Sequence, residues 1–479
     1  KRGIGLEHKI SFTCLKEISR ILREKRFKIT VTIKDKKIIK IEPGNSEQRH
    51  YALAFDIGTT SLYGRMLDLR NKRILAEASD YNKQILHGDD VITRIVYSQK
   101  NNGLHHLQSK VVETMEGIIE ELLKEGGGRR EEVSYIVCAG NTTMTHLLLG
   151  IDPKYIREEP YVPTITSSLS IPGEFIGLKF KPHLYLYTLP CVSSYIGGDI
   201  TAGIMSCGMA KSKKLTLYVD LGTNGEIVLG NSDFLLSCST SAGPAFEGGG
   251  IKCGMRAERG AIDEITIDKM GEPNITTIGG IKPKGICGAG LISLLAQMLF
   301  AGIINQKGKF EPIIKSERIR EKEYIIAKAF ESSIGKEIVI TEADIDNLIR
   351  AKAAIFAGIS VLLKTGGVLA NDIERVIIAG NLGSHIIPEK AIEIGLFPEL
   401  PLDRFHFLGN GSLIGATLVA FSKKMEEEAE RIANSITNIE LSTSREFMDE
   451  YIASMFIPHT DSSKFPKTKF NANPLNLLE

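Results

Sequence analysis

An apolar run, Tyr51–Phe55, leads into the glycine turn Asp56-Ile57-Gly58-Thr59-Thr60, and the same device returns 164 residues later, where Leu215–Val219 leads into Asp220-Leu221-Gly222-Thr223-Asn224. Two further strand-like runs follow each turn: Leu62–Leu69 and Arg73–Ser79 after the first, Glu226–Leu229 and Phe234–Ser237 after the second. Three short strands joined by tight turns make an antiparallel meander. A chain that opens two meanders this way, and follows each with helices and buried strands, is held to a duplicated α/β architecture. The expectation is two related lobes facing a cleft.

The remaining periodicity fits. Helices are expected at His105–Lys124, Thr142–Leu149, Gly197–Gly208, Cys287–Phe300, Glu342–Lys364, Leu413–Glu430 and Ser444–Met455. The fifth carries Thr341 and Asp344 in capping-box spacing. Strands are expected at Tyr135–Cys138, Arg375–Ile378, Phe405–Leu408 and Ile436–Leu441, and 151–183 reads as loop. Ahead of the first meander a helix near Leu15–Lys25 and two strand-like runs form a piece too small to fold alone. The expected divisions are a linker-like segment 1–48, a first lobe 49–210, a second lobe 211–466 and a tail 467–479.

Composition narrows the class. With 43% hydrophobic and 24% charged residues the chain is ordinary globular protein, neither fibrous nor disordered. No stretch approaches about 18 uninterrupted apolar residues, so no spanning helix is expected. The start, Lys1-Arg2-Gly3-Ile4-Gly5, has no apolar h-region and no initiator Met; it reads as a cytoplasmic chain beginning inside something longer. Net charge is +1, which gives no global reason for nucleic acid or membrane. The first fifty residues, however, carry 14 Lys+Arg against 6 Asp+Glu. A basic leader on an acidic body suits an acidic partner or nucleic acid; a solvated linker is the plainer reading and is the one adopted. Seven cysteines are scattered, the closest two 15 residues apart. They read as reduced, mostly buried thiols, and no recognised spacing is present for an iron–sulfur cluster in this chain.

The glycine turns carry the chemistry. Glycine lets backbone turn sharply and approach a ligand, and the surrounding N–H groups and Thr hydroxyls can donate to phosphate oxygens. The aspartate at the strand end only accepts, which suits Mg²⁺ reached through water. A single copy is usually just a hairpin. Two copies can grip one polyphosphate from both sides, through Gly58, Thr59 and Thr60 in one half and Gly222, Thr223, Asn224 and Gly225 in the other. A third element, Val376-Ile377-Ile378-Ala379-Gly380-Asn381-Leu382-Gly383, is a buried strand entering a glycine turn. It reads as a platform for adenine at Gly380, Asn381 and Gly383, or as a simple αβ connection.

This combination resembles the superfamily of sugar kinases, heat-shock chaperones and actin. Asp56–Ser61 looks like its first phosphate loop, Asp220–Glu226 like its second and Ile377–Gly383 like its adenosine motif; its connecting segments would fall at Cys138–Asn141 and Gly409–Gly415. The implied fold is a two-lobed actin-like ATPase with a duplicated βββαβα core. Longer strings resemble the reductive activators of corrinoid proteins: His87-Gly88-Asp89-Asp90-Val91-Ile92-Thr93-Arg94-Ile95, Gly140-Asn141-Thr142-Thr143-Met144-Thr145-His146, Tyr195-Ile196-Gly197-Gly198-Asp199, Ser239–Gly249 and Ile457-Pro458-His459-Thr460-Asp461. The similarity runs from about residue 20 to 466. It implies an ATP- and Mg²⁺-dependent activator that returns a cobalt(II) corrinoid protein to cobalt(I). The electron would come from a ferredoxin domain, absent from this sequence, or from another donor; a homodimer stays open.

Within that reading Asp220, Glu226 and Asp56 are the candidate catalytic residues, Glu226 as base because it follows the second turn directly, and Asp56 and Asp220 the Mg²⁺-associated carboxylates. The Ser237–Gly250 segment, with Glu247, reads either as lining the nucleotide or corrinoid site, through Ser241 and Gly243, or as a helix cap after a strand. Asp199 reads equally as a second acid and as a cap. Gly285–Gly290 is expected to serve close helix packing, and His146, His385, His459 and Cys287 to be structural. Two other classes remain: a sugar or acid kinase of the same superfamily, and a non-catalytic ATP-binding scaffold.

Overall fold

The computed structural model describes residues 8–222, 224–380 and 386–468. The chain forms two compact units: Lys1–Ser206 with Gly411–Ser435, and Cys207–Asn410 with Ile436–Glu479. Each contains one six-stranded sheet.

In the first unit the meander is Tyr51–Ile57, Ser61–Asp68 and Arg73–Tyr81, and the sheet runs Arg73–Tyr81, Ser61–Asp68, Tyr51–Ile57, Val133–Gly140, Tyr185–Thr188, Leu169–Pro172. The central strand pairs antiparallel with Ser61–Asp68 and parallel with Val133–Gly140. Its residues 51–55 are all buried, as a strand covered on both faces requires. Helix Gly103–Glu125 lays Leu107, Val111, Met115, Ile118, Ile119 and Leu122 into this core, the face its 3.6-residue period foretold.

The second unit repeats the plan: Phe405–Gly409, Arg375–Ala379, Thr216–Leu221, Gly225–Gly230, Leu235–Thr240, Ile436–Asn438. In both units the meander's first strand lies between its second strand and a parallel neighbour supplied by the next crossover. The sixth strand is added at opposite ends, beside Tyr185–Thr188 in one sheet and beside Leu235–Thr240 in the other. Helix Glu342–Gly366 starts with the expected box: Thr341 Oγ1 accepts from Asp344 N–H at 3.2 Å while Asp344 Oδ2 accepts from Thr341 N–H at 2.9 Å. The same helix carries Lys352, fully buried, whose Nζ donates to Phe456 O and Pro458 O, each at 2.6 Å. The string Ile457–Asp461 thus serves as the anchor of the C-terminal segment, with His459 Nε2 3.1 Å from Glu450 Oε1.

Four expectations differ from the structure. The segment 411–435, expected in the second lobe, belongs to the first unit, because helix Gly411–Phe421 packs on strands Tyr51–Ile57 and Val133–Gly140. The single helix expected at Leu413–Glu430 breaks at Ser422 into Gly411–Phe421 and Lys423–Ser435. Its first part is apolar nearly all round, whereas the second buries only Ala429, Ile432 and Ala433. The loop 151–183 contains the edge strand Leu169–Pro172, short and half-exposed, so its alternation is too brief to read. Residues 8–48 are not a solvated linker. Helix Phe12–Glu24 packs on a three-stranded sheet around Cys14, Ile21, Ile38 and Ile41, and Lys423 bonds Asp35.

Candidate functional site

The first glycine turn is closed by its own neighbours. A Cβ on Gly58 would lie 2.4 Å from Ser61 O, so only glycine turns the chain this tightly. Asn82 Nδ2 donates to Gly58 O at 3.0 Å and Asn82 N–H to Thr60 O at 2.9 Å. From the other flank Asn141 Nδ2 donates to Thr59 Oγ1 at 3.0 Å, while Asn141 Oδ1 caps helix Thr142–Leu149 by accepting from Met144 N–H at 2.8 Å. Asp56, half-buried at the strand end, accepts from Ser412 Oγ at 2.8 Å. Both connecting segments expected from the resemblance, 138–141 and 409–415, therefore reach this turn through one side chain each, Asn141 and Ser412.

The second turn is built differently. Gly222 N–H donates to Asn224 O at 3.1 Å, and a Cβ on Gly222 would have nothing nearer than 3.9 Å, where it would meet Asn224 O and Glu247 Oε1. Among the described residues this turn is the less crowded of the two. Asp220, half-buried, accepts from Tyr218 OH at 3.2 Å. It stands directly opposite Glu226 in the antiparallel ladder and opposite Ala379 in the parallel one. Residues paired across strands put their side chains on the same face, so the two carboxylates are neighbours, and like charges so placed repel. A cation or a proton relieves that repulsion. Gly380 (φ +88°) has no room for a side chain: a Cβ there would lie 2.5 Å from Leu221 O and 2.9 Å from Asp220 Oδ1.

Ser241 and Gly243 leave the sheet beside this turn, because Gly225 pairs with Thr240. Ser241 is exposed, and Gly243 (φ +73°) has open space where a Cβ would go. The segment continues into a short 3₁₀ turn, Pro244–Glu247, with no side-chain cap, so the capping alternative is not what it does. Thr223, Asn381, Gly383 and His385 lie outside the described residues.

The minor histidine, cysteine and glycine candidates take structural roles. Asp199 sits in the first turn of Gly198–Cys207, its Oδ1 accepting from Ile200 N–H at 2.9 Å. Burial, with the Asp199 charge adding to it, pushes the nearby Cys191 thiol up to about 11. His146, fully buried, bonds Thr142 O at 2.7 Å. Cys287 is buried, donates to Ile262 O at 3.3 Å, and is raised by desolvation, the condition of an inert thiol. A Cβ on Gly290 would lie 2.3 Å from Ile262 O, so Gly285–Gly290 does serve close packing. Sequence reasoning did not single out Asn82, Ser412 or Tyr218. An Asn before a Thr-Thr-Met helix start is a legible cap signal for Asn141, but nothing local announces Ser412, which comes from 356 residues further along the chain.

Comparison with known proteins agrees with this layout. Residues 1–48 match the model of the RACo linker region, 51–212 that of the RACo middle region, and 214–469 that of the C-terminal domain of RACo, the ASKHA domain. The chain belongs to the RACo family, the reductive activators of corrinoid proteins. It is 33% identical over 441 residues to the corrinoid activation enzyme RamQ of Eubacterium limosum, covering 89% of this chain and 73% of that one. It is 24% identical over 440 residues to the [Co(II) methylated amine-specific corrinoid protein] reductase of Methanosarcina barkeri, covering 85% and 76%. A solved structure described as a reductive activator for corrinoid, iron–sulfur protein superposes with a TM-score of 0.88 at 46% identity, over 95% of this chain and 74% of the other. The RACo C-terminal match places the second glycine turn in an ASKHA domain, the nucleotide-binding fold that the paired turns had suggested. Among the described residues no helix is long and apolar enough to cross a membrane.

Proposed function

We propose that this protein is an ATP-dependent activator that returns an inactive cobalt(II) corrinoid protein to cobalt(I). The observation that carries the reading is the 46% identity and TM-score of 0.88 to a reductive activator over nearly the whole chain. One electron enters from a ferredoxin-type iron–sulfur domain or another low-potential donor and reduces the metal of the corrinoid, which is substrate here. The seven cysteines are all free thiols, in keeping with a reducing, cytoplasmic compartment.

Each turn has its task. Backbone N–H groups and hydroxyls of Gly58, Thr59 and Thr60, and of Gly222, Thr223, Asn224 and Gly225, donate to phosphate oxygens. Supporting that approach, a Cβ on Gly222 would meet nothing among the described residues nearer than 3.9 Å. Asp56 and Asp220 are the carboxylates that would hold a Mg²⁺ ion, whose chemistry would be to neutralise phosphate charge. Glu226, next to Asp220 on the same face, orients the attacking water of hydrolysis. Ser241 and Gly243 flank the second turn, and Gly380, Asn381 and Gly383 carry the adenosine. ATP is needed because the reduction is steep: each 30 mV against a one-electron transfer costs about 0.7 kcal/mol. Nucleotide energy reaches cobalt only if ATP and the corrinoid partner prefer the same conformation.

The test is the absorbance of cobalt(I) formed from a candidate corrinoid protein by this chain, ATP and a strong reductant. Wild type is expected to turn over and Asp220→Ala to fail in both ATP hydrolysis and reduction. Equal rates with and without ATP would refute the reading.

A further inference from the structure

Behind the first glycine turn runs a line of buried polar side chains to which nucleotide binding assigns no task. Asn82, whose amide groups hold Gly58 O and Thr60 O, is fully buried, as are Gln84 and Arg94. Gln84 N–H donates to Asn82 Oδ1 at 3.1 Å and its Nε2 to Leu107 O at 2.8 Å. Arg94 Nη1 donates to Gln84 Oε1 at 3.1 Å and lies 3.4 Å from Met144 Sδ. Arg94 Nε donates to Gly88 O at 2.9 Å, and its Nη2 is buried without a hydrogen-bond partner among the described residues. Met144 belongs to the helix capped by Asn141, which holds Thr59. Arg94 thus touches both supports of the turn: Asn82 through Gln84, and Asn141 through the helix behind it.

This is an expensive way to fill space. Desolvation pulls the guanidinium down to about 10, with Asp90 and Asp89 opposing, so the group still carries its charge at neutral pH. No carboxylate among the described residues pairs with it, and one donor is left unsatisfied. A methionine would occupy the volume without either cost, since replacing a buried charge by an apolar side chain of similar volume is often neutral or stabilising.

We propose that Arg94 is a positioning residue for nucleotide binding, presetting the Gly58–Ser61 turn by fixing Asn82 and Asn141 together. This gives a role to the string His87–Ile95, and it rests on the nucleotide reading above. The experiment is steady-state ATP hydrolysis by the whole chain, comparing wild type with Arg94→Lys, Arg94→Met, Asn82→Ala and the Arg94→Met/Asn82→Ala pair. Arg94→Met is expected to raise KM for ATP about tenfold with kcat changed less than about threefold, and Arg94→Lys to restore most of the loss. The double variant is expected to be no worse than the poorer single, because both act on one turn. An unchanged KM in Arg94→Met, or losses that multiply in the pair, overturns the proposal. Should Arg94→Met not fold, amide exchange decides on Gln84→Leu: faster exchange at Gly58–Ser61 supports the relay, and unchanged exchange overturns it. Wild type that fails to bind ATP at all would instead sink the nucleotide reading itself, which keeps the two failures apart.

Discussion

The two meanders share their strand order yet differ in what their glycines and carboxylates are for. Gly58 has a backbone oxygen where its Cβ would be, while among the described residues a Cβ on Gly222 would meet nothing nearer than 3.9 Å. Asp56 stands opposite Tyr63 and is held by Ser412, whereas Asp220 stands opposite Glu226 and is held by Tyr218 from its own strand. The first turn is therefore closely braced by its neighbours, and the second is the acidic one. The same backbone plan occurs twice; the cross-strand partner decides which copy holds two carboxylates side by side.

The comparison can be broken most easily at the acidic copy. Asp220→Ala is expected to lower ATP hydrolysis at least about 100-fold, near 2.7 kcal/mol of barrier, in a steady-state assay. The glycines come next and should separate cleanly. Gly58→Ala is expected to destabilise the fold by about 2 kcal/mol in urea unfolding, since backbone cannot yield to a 2.4 Å approach. Gly222→Ala should leave stability within about 0.5 kcal/mol but raise KM for ATP about tenfold. If Gly58→Ala is the harmless one, the contrast drawn above is wrong. Third, Glu226→Gln is expected to cost about tenfold in kcat, whereas Tyr63→Phe, its counterpart, should cost less than about twofold.

Two carboxylates away from the turns sharpen the contrast further. Glu450 in the second unit and Glu113 in the first are both drawn down to about 2 against a large opposing cost only for Glu450, which is half-buried. Hydrogen bonds from His459 and Lys464 lower Glu450; Lys110 and Lys83 lower Glu113. A depressed carboxyl adds stability that is complete above its unfolded value and lost as pH falls toward the folded one. The unfolding free energy of wild type should therefore exceed that of Glu450→Gln by about 1 to 2 kcal/mol above pH 4.5, and the two should converge toward pH 2. Glu113 is nearly half exposed, so solvent screens its pairs and Lys83→Ala should leave the unfolding free energy unchanged within error.

Much of this was legible beforehand, for physical reasons. Long amphipathic helices announce themselves, as Gly103–Glu125 did, and Thr341/Asp344 marked a helix start to the residue. The repeated Asp-x-Gly-Thr located both turns. What escaped was either short or remote in sequence. The small sheets formed by Ala261–Ile267, Pro273–Thr277 and Gly285–Ile286, and by Ile319–Arg320, Glu323–Ala327 and Ile338–Thr341, have strands of two to seven residues among glycine- and lysine-rich turns. The braces of the first turn, Asn82 and Ser412, act through tertiary contacts that no local pattern encodes.

Calorimetric titration of Mg²⁺–ATP into wild type, Asp56→Ala and Asp220→Ala tests the central claim most directly. The account predicts one nucleotide per chain and an affinity loss of at least about tenfold in each variant separately. Full wild-type affinity in either variant, with the protein folded, would contradict it.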